Sequence, residues 1–285
     1  MRLGAHVSTS GGIDKAVDRG QEIGAETIQL FVSSPQGWAF RAIDSAMASR
    51  FREKAVSAGI SPIFLHCIYL VNLGTDKKEN LSKSIQALVN YVKAASVIGA
   101  EGVIFHAGSH GGRGFDQVFP QVINSLEQVL AEIPSDVNLV LENSAGMGQH
   151  IGSSFQEIGE IAKALDSPQF RICIDTQHLF AAGYNIVQEG SIGSVMDEFD
   201  SKIGLDRIVA VHANDSKREF SSGVDRHENI GQGYIGLDGF RTMMSHKAFE
   251  GLPFFLEVPG YEGNGPDKRN LDTLKQIRAD IQSKD

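Results

Sequence analysis

Short apolar runs rich in β-forming residues alternate along the whole chain with longer amphipathic runs, and there are eight of each. The predicted strands cover residues 3–7, 27–32, 62–67, 102–107, 138–143, 171–175, 208–213 and 254–258. The predicted helices cover residues 12–23, 46–58, 77–98, 116–132, 154–165, 191–203, 237–245 and 268–283. Such regular alternation over 285 residues predicts one α/β domain, residues 1–285, rather than two.

Several predicted strands are apolar on both faces, for example GVIFH at 102–106 and IVAVH at 208–212. Strands of this kind are typical of a parallel sheet that helices cover. Eight strand–helix units in a chain of this length predict a (β/α)8 TIM barrel. A doubly wound open sheet is the alternative, but it would usually place a glycine-rich phosphate loop after its first strand. The segment AHVSTSGG matches that fingerprint poorly.

Functional side chains of a (β/α)8 barrel lie at the C-terminal ends of its strands. In this chain nearly every predicted strand ends in, or leads to, a side chain that can bind a metal ion. The set consists of five of the nine histidines and four carboxylates: His66, His106, His178, His212, His227, Glu142, Asp175, Asp225 and Glu257. Imidazoles and carboxylates that converge in one cavity repel or desolvate each other unless cations neutralise them. The set therefore predicts a metal centre.

The stretch 211–236 carries the densest part of this pattern, because a β run ending in His212 leads through a polar loop to Asp225 and His227. An aspartate and a histidine two residues apart on a loop can both reach one cation. Mixed imidazole and carboxylate ligands without a thiolate favour zinc or manganese, allow iron and disfavour calcium. Nine ligands at three or four per ion would serve two or three ions.

Three further polar residues lie next to these candidate ligands. His6 ends the first predicted strand, while Asn143 and Asn214 each follow a candidate ligand. Each could donate or accept a hydrogen bond that orients a ligand, since metal ligands are normally held by such partners. A purely structural role is an equally good interpretation of all three.

The formal net charge of -9 argues against a general polyanion-binding protein, which would need a basic face. Three divalent cations among four carboxylates would nevertheless leave a local charge of about +2 that can attract a phosphate. The two cysteines form no disulfide framework, and the N-terminal segment has no apolar signal region. No apolar run approaches the roughly 18 residues of a membrane span. We therefore expect a cytoplasmic protein that binds no membrane.

Seven segments resemble, in order along the chain, the endonuclease IV family of apurinic/apyrimidinic endonucleases. They are HCIYLVNL from residue 66, FHAGSH from 105, LENSAGMG from 141, CIDTQHLFAAGYN from 173, VHANDSK from 211, VDRHENIGQGYIG from 224 and LEVPG from 256. The segments from residues 173 and 224 are the most specific, because they combine candidate ligands with fixed glycine and apolar positions. The resemblance spans most of the chain.

The resemblance implies three zinc ions in a (β/α)8 barrel, although manganese or iron could occupy one site. It implies that His66 and His106 hold one zinc and that Glu142, the residue most directly tied to catalysis, bridges this zinc to a second. The remaining implied ligands are Asp175, His212 and Glu257 for the second zinc, and His178, Asp225 and His227 for the third.

The implied activity is DNA repair. The family hydrolyses the phosphodiester on the 5′ side of an abasic site, leaving a 3′-hydroxyl and a 5′-deoxyribose phosphate, and removes blocking groups from 3′ ends. The expected partner is duplex DNA with abasic sites or blocked 3′ ends. We expect a monomer, because a barrel mouth that admits bent duplex DNA leaves less surface for subunit contacts.

The resemblance also points to side chains that would contact DNA. Tyr69 and Leu70 match positions that wedge into the base stack. Gln36 lies in a loop where some family members insert an arginine, and Trp38, which this chain retains, could pack or stack there. The missing arginine leaves the manner of DNA opening undefined. Near the barrel mouth, Lys217, Arg218 and Arg226 could contact phosphates, although isolated basic residues are often only solvated.

Two alternatives are consistent with parts of the pattern. A metal-dependent sugar isomerase or epimerase on the same kind of barrel resembles this chain in a core that Glu142, Asp175, His212 and Glu257 would satisfy. The five remaining candidate ligands are superfluous for a one-metal isomerase and favour the nuclease. A catalytically silent DNA-binding barrel is disfavoured by the complete ligand set, since buried carboxylates without metal would cost several kcal/mol each.

Overall fold

The computed structural model describes residues 1–188 and 190–283. Its strands are Arg2–His6 (β1), Thr27–Leu30 (β2), Ile63–His66 (β3), Gly102–Phe105 (β4), Asn138–Glu142 (β5), Phe170–Asp175 (β6), Ile208–His212 (β7), Asp215–Ser216 (β8), His227–Glu228 (β9) and Pro253–Leu256 (β10). Its α-helices are Asp14–Ile23 (α1), Ser45–Ala58 (α2), Lys78–Ile98 (α3), Phe115–Leu130 (α4), Phe155–Leu165 (α5), Thr176–Ala182 (α6), Ser191–Lys202 (α7), Gly236–Met244 (α8) and Lys268–Gln282 (α9). Short 3-10 helices lie at Met147–Gln149, Leu205–Arg207 and Lys247–Phe249.

The strands other than β8 and β9 form one closed barrel in the order β1-β10-β7-β6-β5-β4-β3-β2. Neighbours are parallel, and β1 pairs with both β2 and β10, so that Leu3 lies opposite Phe254. The predicted single-domain (β/α)8 barrel is confirmed. An open sheet is excluded, because the first and last strands pair. The predicted boundaries differ from the observed ones by one or two residues, which is typical where strand and helix ends fray.

Side chains alternate between the inside and the outside of the barrel, because successive residues of a strand point to opposite faces. One buried layer fills the interior, and each of its members is at most 1% exposed: Phe64, Ile104, Val140, Cys173, Ala210 and Phe255. Each of these side chains lies two residues before a candidate ligand that ends the same strand or directly follows it. The alternation that buries this layer therefore also turns those ligands towards the barrel mouth.

The outward faces of the strands pack against the helices, whose ends follow ordinary capping chemistry. The Asp44 carboxylate accepts the Met47 amide of α2 at 2.9 Å, and the Ser154 hydroxyl accepts the Glu157 amide of α5 at 3.2 Å. Gly59 ends α2 with a φ of 65°, a conformation that glycine adopts without strain. In the described part of the chain, no helix combines the length and the apolar character needed to cross a membrane.

Two small elements were missing from the sequence prediction. The short helix α6 directly follows β6 and buries every side chain from Thr176 to Ala181, so its segment shows no amphipathic period. The strands β8 and β9 form an antiparallel pair in which Asp215 lies opposite Glu228. Two-residue strands leave no alternation to detect. Both elements carry candidate ligands.

An ion pair ties the first and last parts of the barrel wall together at the end opposite the barrel mouth. Arg278 of α9 donates from its two terminal nitrogens to the two Glu26 carboxylate oxygens, each at 2.7 Å. Glu26 also accepts the Leu3 amide of β1 at 3.0 Å. Burial raises the pKa of Glu26, but the bonds from Arg278 and Leu3 outweigh it and hold the pKa below its ordinary value.

Replacing Glu26 with glutamine should lower the free energy of unfolding by about 1 kcal/mol, since a partly solvated, two-point charged hydrogen bond is lost. Because its pKa is depressed in the folded protein, the wild-type advantage is present at neutral pH and disappears as the pH falls through the folded pKa of Glu26. Urea unfolding at neutral and acidic pH measures this difference. Glu79→Gln, in a surface pair with Lys83, is the control and should cause no measurable change. Equal stability of Glu26→Gln and wild type at neutral pH would contradict the prediction.

Candidate metal centre

All nine candidate ligands lie at one end of the barrel. His66, Glu142, Asp175 and His212 are the last residues of β3, β5, β6 and β7, and His106 and Glu257 directly follow β4 and β10. The other three lie on the elements that the sequence prediction missed or left as loop: His178 on α6, and Asp225 and His227 at the β8–β9 pair. The strand ends and these two elements bring the side chains into three groups.

The first group consists of His66, His106 and Glu142. The Nε2 atoms of both imidazoles lie 3.2 Å from Glu142 Oε2. Their possible ligand atoms all lie within 4.8 Å of one another. His66 and Glu142 are buried, whereas the His106 side chain is about one-third exposed at the barrel mouth.

The second group consists of Glu142, Asp175, His212 and Glu257. His212 Nδ1 lies 3.0 Å from Glu142 Oε1, 3.3 Å from Glu257 Oε2 and 3.8 Å from Asp175 Oδ2. Possible ligand atoms of the four residues lie within 4.8 Å of one another. Glu142 therefore belongs to the first and the second group.

The third group consists of Asp175, His178, Asp225 and His227. The Nε2 atoms of both histidines lie 3.3 Å from the Asp225 carboxylate oxygens, and His227 Nε2 lies 3.8 Å from Asp175 Oδ2. Asp225 is the most exposed ligand candidate, at 42%. The sequence interpretation assigned Asp175 to the second group alone, whereas the structure brings it to the third group as well.

Four of the five histidines hold one ring nitrogen in a hydrogen bond to a carbonyl or amide oxygen. A ring with one nitrogen donating in this way presents the lone pair of the other nitrogen to a cation. The contacts are His66 Nδ1 to Cys67 O at 2.7 Å, His178 Nδ1 to Asn143 O at 2.9 Å, His212 Nε2 to Gln29 Oε1 at 2.8 Å and His227 Nδ1 to Glu257 O at 3.3 Å. The nitrogens that remain, Nε2 or Nδ1, face carboxylates of the groups, and His178 Nδ1 also lies 3.2 Å from Glu142 Oε1.

Several atoms inside the groups are buried and lack a hydrogen-bond partner among the described residues: Glu142 Oε1, His178 Nε2, His212 Nδ1 and His227 Nε2. Unpaired buried polar atoms are costly, and a native site that keeps several of them needs an explanation. All four belong to the donor types that bind zinc or manganese. The arrangement therefore fits divalent metal ions.

In the absence of cations, the carboxylates and imidazoles of the groups shift one another's pKa values, and some of the imidazoles balance the carboxylate charge. Burial lowers the pKa of His178, but the Asp175 and Asp225 carboxylates outweigh it and hold the pKa well above its ordinary value. Burial lowers the pKa of His106 to about 4. Burial also raises the pKa of Asp225, yet His178 holds it at about 2. Metal ions would take over this neutralisation and release protons from the imidazoles.

Comparison with known proteins decides between the families that use such groups. A family described as Xylose isomerase-like TIM barrel matches residues 17–280. A protein of Citrifermentans bemidjiense named probable endonuclease 4 is 37% identical over 277 residues, which cover 96% of this chain and 98% of that protein. The probable endonuclease 4 of Halobacterium salinarum is also 37% identical, over 98% of this chain and the whole of that protein. The chain belongs to the endonuclease IV family.

Solved structures agree with this assignment. Endonuclease IV from Thermus thermophilus superimposes with a TM-score of 0.85 and 32% identity, covering 99% of this chain and all of that one. A D-tagatose 3-epimerase-like protein reaches a TM-score of 0.76 over 100% of this chain and 99% of that one, but only 15% identity, so this likeness shows the fold alone. The resemblance found in the sequence motifs is confirmed.

In this endonuclease IV family member, asparagines and one glutamine hold the ligands. Asn214 Nδ2 donates to Asp175 Oδ2 at 2.6 Å, and Asn214 Oδ1 accepts the Glu257 amide at 2.9 Å. Asn143 Oδ1 accepts the Asp175 amide at 2.7 Å. Gln29 of β2 was not singled out in the sequence. It is a fully buried polar residue that lies between the apolar Ile28 and Leu30. That combination, at an inward-facing position, is the signal that could have identified it.

The glycine-rich turn after His227 is held by Asp215, which is fully buried. Its carboxylate accepts the amides of Gly231 at 2.8 Å, Gly233 at 3.0 Å and Ile235 at 2.9 Å. A Cβ atom at Gly233 would lie 2.3 Å from Ser216 O, so only glycine allows this close approach. Asp215 thereby ties β8 to the turn that follows His227 of the third group.

The residues expected to contact DNA take up different environments. Tyr69 is 60% exposed, and its ring packs edge-on against Phe31 and against the candidate ligand His66. Leu70 is half-buried against the hydrophobic core. Gln36 is exposed, whereas Trp38 is half-buried against the core and lines a small cavity of about 80 Å³.

The basic candidates lie on the β8–β9 hairpin beside the third group. Lys217 and Arg226 are exposed, and the Lys217 amide donates to Arg226 O at 2.9 Å. Arg226 Nη1 donates to the carbonyl oxygen of Asp225 at 2.7 Å, so its charge lies next to a candidate ligand. Lys217 and Arg218 line an open cavity of about 320 Å³ together with Tyr234.

Replacing Asp215 with asparagine should lower the free energy of unfolding by about 2–3 kcal/mol, because a buried carboxylate that accepts several amides is replaced by a group that is itself half donor. Urea unfolding of the variant beside wild type measures the change. Asp206→Asn, at a side chain that is 85% exposed, is the matched control and should leave stability unchanged. A loss for Asp215→Asn no larger than that of the control would contradict the role of Asp215.

Proposed function

We propose that this protein is a zinc-dependent DNA-repair endonuclease that hydrolyses the phosphodiester on the 5′ side of an abasic site. The products are a 3′-hydroxyl end and a 5′-deoxyribose phosphate. The observation that carries the proposal is that the three ligand groups share Glu142 and Asp175, so that three cations can lie side by side at the barrel mouth. Membership of the endonuclease IV family supports it.

Each group would hold one zinc ion: the first through His66, His106 and Glu142, the second through Glu142, Asp175, His212 and Glu257, and the third through His178, Asp225 and His227 with Asp175 nearby. Manganese or iron could replace zinc at one site. Zinc ions bound here would lower the pKa of water and stabilise negative charge on a phosphate, as metal ions do in phosphoryl hydrolysis. The three-zinc site belongs to one barrel domain that spans the chain.

The side chains of this protein supply binding, orientation and charge balance. Glu142 is the central residue, because its two oxygens face different groups. Asn214 and Gln29 hold Asp175 and Glu257 in place, so the carboxylates do not have to reorganise during the reaction. His106 and Asp225 are the most exposed ligands of the first and third groups, which places them nearest to an entering phosphate.

Duplex DNA with an abasic site or a blocked 3′ end is the proposed partner, and removal of 3′ blocking groups would use the same centre. Tyr69 would wedge into the base stack, where unstacking costs least next to a missing base. Lys217 and Arg226 would contact phosphates from the hairpin. Because the chain is acidic overall, DNA would be attracted only by the local positive charge of the metal centre and of Lys217 and Arg226. We propose that the protein acts as a monomer.

The sugar isomerase or epimerase alternative needs the second group alone. It gives no role to five candidate ligands: His66, His106, His178, Asp225 and His227. Two of them, His178 and His227, each have a buried Nε2 atom without a hydrogen-bond partner among the described residues. The epimerase-like structures share the fold at 15% identity or less, whereas relatives named endonuclease 4 are 35–37% identical. The endonuclease is therefore the function that the site supports best.

Purified protein should bind close to three zinc ions and cut a duplex oligonucleotide on the 5′ side of an abasic analogue without added magnesium.

Glu142→Gln should lower incision by at least about 100-fold while the protein stays folded, because one ligand shared by two cations is weakened. Elemental analysis, incision assays and circular dichroism measure the three quantities. Glu132→Gln, on the surface in a pair with Lys93, is the control and should keep full activity.

Two results would contradict this proposal. Full activity of Glu142→Gln would show that the assigned groups do not carry the reaction. Wild-type protein that contains a single metal ion and does not incise abasic DNA would favour the isomerase. Assays with ketoses would then be the appropriate test.

Replacing Tyr69 with alanine should reduce the preference for abasic over undamaged duplex by about tenfold, because a stacking ring is worth roughly 1–3 kcal/mol. Fluorescence binding assays with the two duplexes measure the preference. Tyr69→Phe keeps the ring and should keep the preference, and zinc content should be unchanged in both variants. An unaltered preference in Tyr69→Ala would remove Tyr69 from DNA recognition.

A further inference from the structure

The side chain of Gln29 joins two ligands of the second group without belonging to any group. It is fully buried in β2. Its Oε1 accepts from His212 Nε2 at 2.8 Å, and its Nε2 donates to Glu257 Oε1 at 2.7 Å. A third contact, between Gln29 Nε2 and His6 Nδ1 at 2.9 Å, uses the remaining amide hydrogen. The amide oxygen and both amide hydrogens therefore each have a partner.

These contacts determine the orientation of the amide. The Glu257 carboxylate only accepts hydrogen bonds, so it must face the NH2 end of Gln29. The oxygen end then faces His212, where it can only accept. His212 is therefore held with its proton on Nε2, which leaves the Nδ1 lone pair directed at Glu142, Asp175 and Glu257. The opposite histidine tautomer would place a proton where a cation has to bind.

The Gln29 amide also makes the two oxygens of the Glu257 carboxylate different from each other. Oε1 accepts from Gln29, whereas Oε2 lies 3.3 Å from His212 Nδ1, on the side of the second group. A carboxylate with one oxygen occupied in this way binds a cation through the other. Gln29 thus acts on two of the four ligands of one cation and on no ligand that belongs only to the first or third group.

We propose that Gln29 is a positioning residue for the second cation: it selects the histidine tautomer and the carboxylate oxygen that this cation binds. The proposal rests on the proposed zinc-dependent function. It concerns one site among three and assigns Gln29 no contact with DNA. Neither glutamate nor a similar apolar side chain can replace the amide, because glutamate would repel Glu257 and an apolar chain would leave both ligands without their partner.

The test compares Gln29→Met with wild type by titrating zinc-loaded protein with a chelator. Methionine is similar in length and fills the space, but it makes none of the three hydrogen bonds. We expect one zinc equivalent to be bound about 10- to 100-fold more weakly, as is typical when a partner of a metal ligand is lost. The other two equivalents should stay within about threefold of wild type, because Gln29 contacts none of their own ligands.

Two further readouts separate positioning from a general loss of stability. Incision by Gln29→Met should fall when zinc is limiting and recover in excess zinc, whereas a damaged barrel would not recover. With cobalt in place of zinc, the visible absorption of one equivalent should change. Thr27→Val is the matched control, because it removes the buried hydrogen bond from the Thr27 hydroxyl to Pro62 O in the same strand and contacts no ligand. It should lower stability and leave all three zinc affinities unchanged.

The possible outcomes distinguish this proposal from the proposed function. Wild-type protein that binds three zinc ions and incises abasic DNA, together with a Gln29→Met variant of unchanged zinc affinity, would overturn the role of Gln29 alone. An equal weakening of all three equivalents, or a loss that Thr27→Val reproduces, would also overturn it. Wild-type protein without tightly bound zinc would overturn both.

Discussion

Four imidazoles surround the Glu142 carboxylate, with nitrogens of His66, His106, His178 and His212 lying 3.0–3.2 Å from its two oxygens. This carboxylate is 1% exposed, and three further carboxylates, those of Asp175, Asp225 and Glu257, lie beside the same histidines. Burying so many ionisable groups together is costly unless cations or well-made hydrogen bonds neutralise them. This end of the barrel therefore suits divalent metal ions, and Asn214, Asn143 and Gln29 hold the candidate ligands in hydrogen bonds.

The support beneath the three groups differs between them. The members of the first and second groups lie at or directly after strand ends of the closed barrel, next to the buried interior layer. The third group depends instead on the short helix α6 and on the β8–β9 hairpin, and Asp215 of β8 holds the glycine-rich turn that follows β9. Asp175 connects the barrel strands to α6, because it is the last residue of β6 and its carboxylate caps α6 by accepting the His178 amide at 2.8 Å. The geometry of the third group thus depends on α6 and the hairpin as well as on a barrel strand.

The same barrel serves proteins named as epimerases, at identities too low to indicate anything beyond the fold. What distinguishes this chain lies in the side chains at the mouth rather than in the barrel itself, as is general for folds that carry many chemistries. The second group alone resembles a one-metal site. The histidines of β3 and of the β4 end, with α6 and the hairpin, extend it to three groups.

The sequence by itself determined the barrel, because eight strand–helix units repeat along the chain and several of the strands are apolar on both faces. It also identified the nine candidate ligands, since each lies at or near a strand end or in a specific motif. It did not reveal α6 or the β8–β9 pair, whose burial on all sides or short length leaves no periodic pattern. Nor did it reveal Gln29 and Asp215: an isolated polar residue in a strand acquires a role only through partners that are distant in sequence. Closure of the barrel brings Gln29 to His212, 183 residues away, and only the tertiary structure could decide that contact.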